Sequence, residues 1–227
     1  MTQFSDSEQL AALYRGRFGD REGIASQARL RTWEVLCAEW FPRYIEPGST
    51  VLELGTGRGE FINNVVAGRK LAVDLNPEAA SYLNPDVEFL LCGVDDISEL
   101  ADDEIDVVFS SNLMEHLGDA ATLLRTLAES RRILRPGGLL ISLVPNVKYV
   151  GTAFFDFLDH TLPLTEVSFG EALDMAGFRE VEMIPRFLPY SAQNVRTVPS
   201  HAAISAYLKF RPAWRVLGKQ FFSVAQA

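Results

Sequence analysis

The stretch "VLELGTGRGEF", Val51–Phe61, sets three glycines at alternate positions between an apolar run and a segment that reads as a helix over about 58–67. A buried strand that turns through glycines into a helix brings main chain close to a ligand. Gly55 can make the sharp turn, Gly57 can let backbone approach the ligand, and Gly59 can let the helix start pack closely. The dinucleotide fingerprint wants glycine or alanine where this chain has Glu60, and a carboxylate there repels a pyrophosphate. No Gly-Lys-Ser/Thr ending follows, so the loop is not a P-loop either.

Outward from this loop, strands and helices alternate. "KLAVDL", "VEFLLCG", "IDVVFSSN" and "LLISLVPN" read as further strands. "NPEAASYL" reads as a helix capped by Asn76, with Pro77 at its first position. "GDAATLLRTLAESRRILRPGG" reads as an amphipathic helix stopped by Gly137 and Gly138, and "SFGEALDMAGF" as one opened by a Ser168–Glu171 capping box. Strands this apolar are buried on both faces, which predicts a doubly wound, mostly parallel α/β sheet with helices on both sides. "FREVEMIPRFLPY" and "GKQFFSVAQA" look extended and predict antiparallel pairing at one edge, with a short helix near His201–Phe210 between them. Residues 5–45 read as helical, so the expected division is a helical cap over 1–48 and the α/β domain over 49–227, with a variable insertion at about 191–215.

The net charge of −9 argues against a nucleic-acid partner held through its phosphates. Two cysteines in 227 residues imply no disulfide framework. The N-terminus lacks the basic and apolar regions of a signal peptide, and no apolar stretch approaches a bilayer span, so the expected location is the cytoplasm.

With "VLELGTGRG", the acidic strand end in "AVDLNP", "DISEL", "IDVVFSSNLMEHL" and "LRPGGLLIS" in this order, the sequence resembles the class I S-adenosylmethionine-dependent methyltransferases. The resemblance implies a Rossmann-like, seven-stranded sheet whose last strand is antiparallel, and S-adenosyl-L-methionine as cofactor. It places Gly55, Thr56, Gly57 and Gly59 against the methionine part, with Glu53 bracing the loop or reaching the cofactor's amino group. Asp74 would accept both ribose hydroxyls, with Leu75 beside it; capping is its other reading, but Asn76 fills that role. Asp96, or Asp95 one place away, would accept from the adenine amino group while the Ile97 N–H faces a ring nitrogen. Ser111 or Asn112 would close over the methionine part, and Arg17 or Tyr14 could meet its carboxylate.

The sulfonium methyl is already activated, so catalysis is mostly alignment, helped for an oxygen nucleophile by a general base. Three histidines keep the search short. His116, after the fourth strand, is the first candidate; Asp159 or His160, in a Phe-rich loop after the fifth, is the second, whether as base or as substrate contact. His201 lies in the variable tail and reads as exposed. Some relatives bind Mg²⁺ through a Glu-x-x-Glu-His run here, but the first position is Asn112, and Glu115 with His116 gives too few oxygen ligands, so no metal is expected. The expected acceptor is a small-molecule or saccharide hydroxyl, and a cofactor-binding but silent partner subunit is the alternative. The aromatic and basic tail reads as a lid, a dimer surface or a weak foothold on an anionic membrane; a monomer or a homodimer fits either role.

Overall fold

A computed structural model describes residues 23–190 and 197–227, so the expectations for Tyr14 and Arg17 lie outside the described residues. Five parallel strands form in chain order: β1 (Thr50–Leu54), β2 (Arg69–Val73), β3 (Val87–Leu90), β4 (Ile105–Ser111) and β5 (Leu134–Pro145). β6 (Arg179–Ile184) and β7 (Gln220–Gln226) complete a seven-stranded sheet of order β3-β2-β1-β4-β5-β7-β6. β7 runs antiparallel to both β5 and β6 and lies between them. The winding reverses between β1 and β4, which opens a crevice at their carboxyl ends.

The apolar runs form these strands because both faces of the sheet are covered. On one face Leu52, Leu54 and Val108 pack with Leu123 and Leu127 of helix α2 (Ala120–Ile133) and with Phe169 and Leu173 of α3 (Glu166–Met175). On the other, Val51, Val107 and Phe109 meet Val35 and Leu36 of α1 (Ile24–Glu39), Ile204 of α4 (His201–Lys209) and Trp214 of α5 (Arg211–Leu217). This second layer is aromatic: Phe61 stacks on Phe109 at 3.7 Å between centroids, and Trp40 meets Phe187 at 4.6 Å.

Four local expectations are corrected. No regular helix forms over 58–67; the segment is a series of turns. Asn63 gives its side chain to the Tyr82 carbonyl and the Asn84 N–H, and Asn-Asn-Val-Val is a weak helix former. The run after Asn76 is a 3₁₀ stretch, Pro77–Tyr82, although Asn76 does accept from the Glu78 N–H. α2 ends at Ile133, ahead of Gly137, because Pro136 disfavours a helical Arg135 and the chain goes straight into β5. The capping box of α3 is Thr165 with Ser168, one turn before the expected pair.

Candidate active site

The glycine loop leaves β1 with the Gly55 and Thr56 N–H groups donating to the Val73 carbonyl at 2.8 and 3.1 Å. Gly55, Gly57 and Gly59 all have positive φ, +65°, +54° and +68°. A Cβ on Gly55 would lie 2.7 Å from Leu113 Cδ1, and one on Gly59 would lie 2.7 Å from Leu83 Cδ2. A Cβ on Gly57 would meet nothing within 4 Å, so this glycine alone faces open space.

Two buried carboxylates hold the loop from behind. Glu53 accepts from the Thr56 hydroxyl at 2.7 Å and from the Ile62 N–H at 3.3 Å. Burial pushes its pKa up to about 8. Asp74 accepts from the Gly57 N–H and the Asn76 N–H, both at 2.8 Å, and burial raises its pKa also. The cap on the 3₁₀ stretch is indeed Asn76, while Asp74 has a loop-bracing role that neither sequence reading contains.

The residues expected at ribose and adenine do not line the cavity described below. Leu75 and Asp96 are exposed, and Asp95 pairs with Arg125 at 3.0 Å. The Ile97 N–H, expected to face a ring nitrogen, donates here to Glu129 Oε2 at 3.2 Å.

A cavity of about 550 Å³ opens beside the loop. Glu53, Gly55, Thr56, Gly57, Ser111, Asn112, His116 and His160 all line it. At its mouth His116 Nδ1 lies 3.0 Å from the Asp159 carbonyl and 3.2 Å from Asp159 Oδ2. Its Nε2 lies 3.9 Å from Glu115 Oε1. The His116 and His160 rings meet edge to face at 4.8 Å, and Phe154 and Phe157 pack on His160. Burial alone would lower the His116 pKa, but the Asp159 hydrogen bond and the Glu115 and Asp159 charges outweigh it and raise it. Glu115 is buried, and burial pushes it up to about 7.

This cluster depends on long-range folding: the Thr161 and Leu162 N–H groups donate to the Glu115 carbonyl, which draws the loop after β5 over the end of β4. It also gathers one possible metal-ligand atom each from Glu115, His116 and His160 within 4.8 Å, where the sequence offers only the first two side by side. His201 is far less enclosed and sits 3.8 Å from Glu39.

Sequence reasoning expects a helical cap here but does not name the residues of α1 that reach the site. Arg29 on α1 pairs with Glu60 at 2.9 Å, and Ala28, Trp33 and Leu36 on the same helix line the cavity. Glu60, read only as an obstacle to a pyrophosphate, is the anchor that ties α1 across the glycine loop. The tail contributes as well, since Ile204 and Tyr207 of α4 also line the cavity.

Residues 52–142 match the family of methyltransferase domains. A Mycobacterium tuberculosis protein described as a probable S-adenosylmethionine-dependent methyltransferase is 33% identical over 121 residues, 47% of this chain and 43% of that protein. The chain thus spans less than half the length of this curated relative. A chain from the complex between the Haloferax volcanii Trm112 methyltransferase activator and a methyltransferase superposes with a TM-score of 0.68, at 22% identity over 95% of this chain and 96% of that one. A SAM-dependent methyltransferase from Archaeoglobus fulgidus gives 0.65, at 20% identity over 96% of this chain and 99% of that one. Over residues 52–142 the chain thus matches a methyltransferase domain, on a sheet with the class I methyltransferase fold, and the cofactor of that class is S-adenosylmethionine. No described helix is long and apolar enough to cross a membrane.

Proposed function

We propose that this chain methylates an oxygen of a small-molecule or saccharide hydroxyl, with S-adenosylmethionine as donor and His116 as the base. The residues present suit that cofactor. Gly57 leaves open space where any side chain would intrude, and Glu53 in the same lining offers a carboxyl oxygen that can accept from an ammonium. When bound, the cofactor supplies an activated methyl group.

The single observation that carries the reading is that His116, held by Asp159, lines the same cavity as Gly57. Asp159 takes the Nδ1–H and leaves Nε2 to receive the proton of the acceptor hydroxyl. Ser111 and Asn112 at the end of β4, with Asn112 at φ +50°, form the floor between loop and base. Asp74 passes from holding the Gly57 N–H to meeting the ribose hydroxyls, with Asp95 or Asp96 at the adenine end.

The test is transfer of labelled methyl from S-adenosylmethionine to a panel of hydroxyl compounds by wild type, His116→Ala and His160→Ala. Loss in His116→Ala with intact S-adenosylhomocysteine binding supports the assignment; undiminished transfer by both variants removes both candidate bases. A second reading is a cofactor-binding subunit that is silent alone. It is favoured by the Haloferax volcanii neighbour, which was solved as a complex with an activator. Under that reading wild type binds S-adenosylhomocysteine but transfers no label to any compound without a second protein.

A further inference from the structure

The cavity lining is of two kinds. One is polar: the glycine loop and the His116 cluster. The other is an apolar end-wall surface of Trp33 and Leu36 of α1, Leu143 and Leu188, and Ile204 and Tyr207 of α4. Tyr207 does not make this wall polar, because its hydroxyl already donates to the Phe187 carbonyl at 2.5 Å. The residues expected at ribose and adenine do not line the cavity, which leaves this apolar surface for the acceptor.

A buried amide lies among these lining residues. Gln220, the first residue of β7, is 7% exposed and lines the cavity. Its Nε2 donates to the Pro189 carbonyl at 2.9 Å, which fixes the amide orientation, since that oxygen can only accept. Its Oε1 is then buried with no hydrogen-bond partner among the described residues. A buried amide oxygen left unpaired costs about 1–3 kcal/mol, which a ligand N–H or O–H would offset.

Building on the methyltransferase reading above, we propose that the acceptor is a compact, largely apolar aromatic hydroxyl compound carrying a second hydrogen-bond donor, read by Gln220 Oε1. A saccharide does not suit this end, because its ring hydroxyls would face Leu, Ile and Trp surface and lose their water without replacement. Gln220 is then a specificity-determining residue, placed by β7 and not by the glycine loop.

Calorimetry on the full chain saturated with S-adenosylhomocysteine tests this, using 2,7-dihydroxynaphthalene, 7-methoxy-2-naphthol and methyl α-glucopyranoside as probes. The diol should bind about 5-fold tighter than its methoxy analogue, the equivalent of one neutral hydrogen bond. The glucoside should bind more weakly than either. Gln220→Met should keep S-adenosylhomocysteine binding and lose the preference between diol and methoxy analogue. Binding of S-adenosylhomocysteine without binding of either naphthalene, a glucoside that binds as well as the diol, or a preference that survives in Gln220→Met would each overturn the proposal. If Gln220→Met fails to fold, the two naphthalenes still decide on wild type, where equal affinity overturns it. Failure of S-adenosylhomocysteine to bind wild type is a different result: it removes the cofactor reading, and this proposal with it.

Discussion

His116 and Asp159 are separated by helix α2, strand β5 and the loop after it, yet His116 Nδ1 sits 3.2 Å from Asp159 Oδ2. The same nitrogen lies 3.0 Å from the Asp159 carbonyl, so side chain and main chain of one residue both fix the imidazole. His116→Ala should lower turnover by roughly 100-fold or more, the scale of a lost general base. Asp159→Asn keeps the bulk but weakens the hold on Nδ1–H, and should fall between wild type and His116→Ala. Both variants should bind S-adenosylhomocysteine normally by calorimetry; lost binding would place the pair in cofactor support instead of proton transfer.

The buried carboxyls make stability fall as pH rises. Burial lifts Glu53 from 4.5 to about 8, so the folded state holds a proton that the unfolded state releases above about 4.5. The penalty is absent below pH 4.5, grows between 4.5 and 8, and is complete above 8. Glu115, lifted to about 7, acts the same way over a narrower window. His116, raised above its usual 6.5, adds stability that is full below 6.5 and lost as pH rises through its folded value. Glu53→Gln keeps an oxygen for Thr56 and Ile62 but has no proton to lose. It should melt like wild type at pH 5 and above it at pH 8.5, by on the order of a few kcal/mol. Parallel melting curves at both pH values would contradict the assignment.

Three glycines with similar φ should respond differently to alanine. Each substitution pays about 1 kcal/mol or more of left-handed strain. Gly55→Ala also forces Leu113 aside, and Gly59→Ala drives into Leu83 and Asn63, so both should lower the melting temperature further. Gly57→Ala should cost only the backbone strain while weakening S-adenosylhomocysteine at least 10-fold, because its methyl enters open space beside the cavity. Calorimetry with paired melting curves separates these outcomes.

The Arg29–Glu60 pair ties α1 to the glycine loop, and both side chains are about a quarter exposed. Such a pair contributes little to global stability. Glu60→Ala should therefore leave the melting temperature nearly unchanged but speed S-adenosylhomocysteine dissociation several-fold in stopped-flow measurements. An unchanged off-rate would mean that α1 does not gate the cavity.

Much of the frame is legible in the sequence, because β1 and β4 are buried on both faces and an apolar run is all such a strand needs. The loop glycines announce themselves for the same local reason. The turns over 58–67 are not legible, since Asn63 is claimed by Tyr82 and Asn84 across the fold. The partner of the Ile97 N–H, Glu129 on α2, is likewise one that no local pattern announces. His116 stands out by its position after β4, but what holds it comes from the loop after β5. Gln220 is the hardest case, because nothing distinguishes it in "GKQFFSVAQA" until β7 is seen to begin beside Leu188 and Pro189.

The seating of β7 between β5 and β6 also dictates an order of assembly. β6 has no hydrogen-bond ladder of its own to β5, so it cannot join the sheet until Gln220–Gln226 has been made and inserted. During synthesis, the edge of β5 and its apolar face therefore wait open while α3 and β6 emerge. The residue proposed to read the acceptor arrives in that last strand, so a nascent chain would have its cofactor loop formed well before its acceptor pocket.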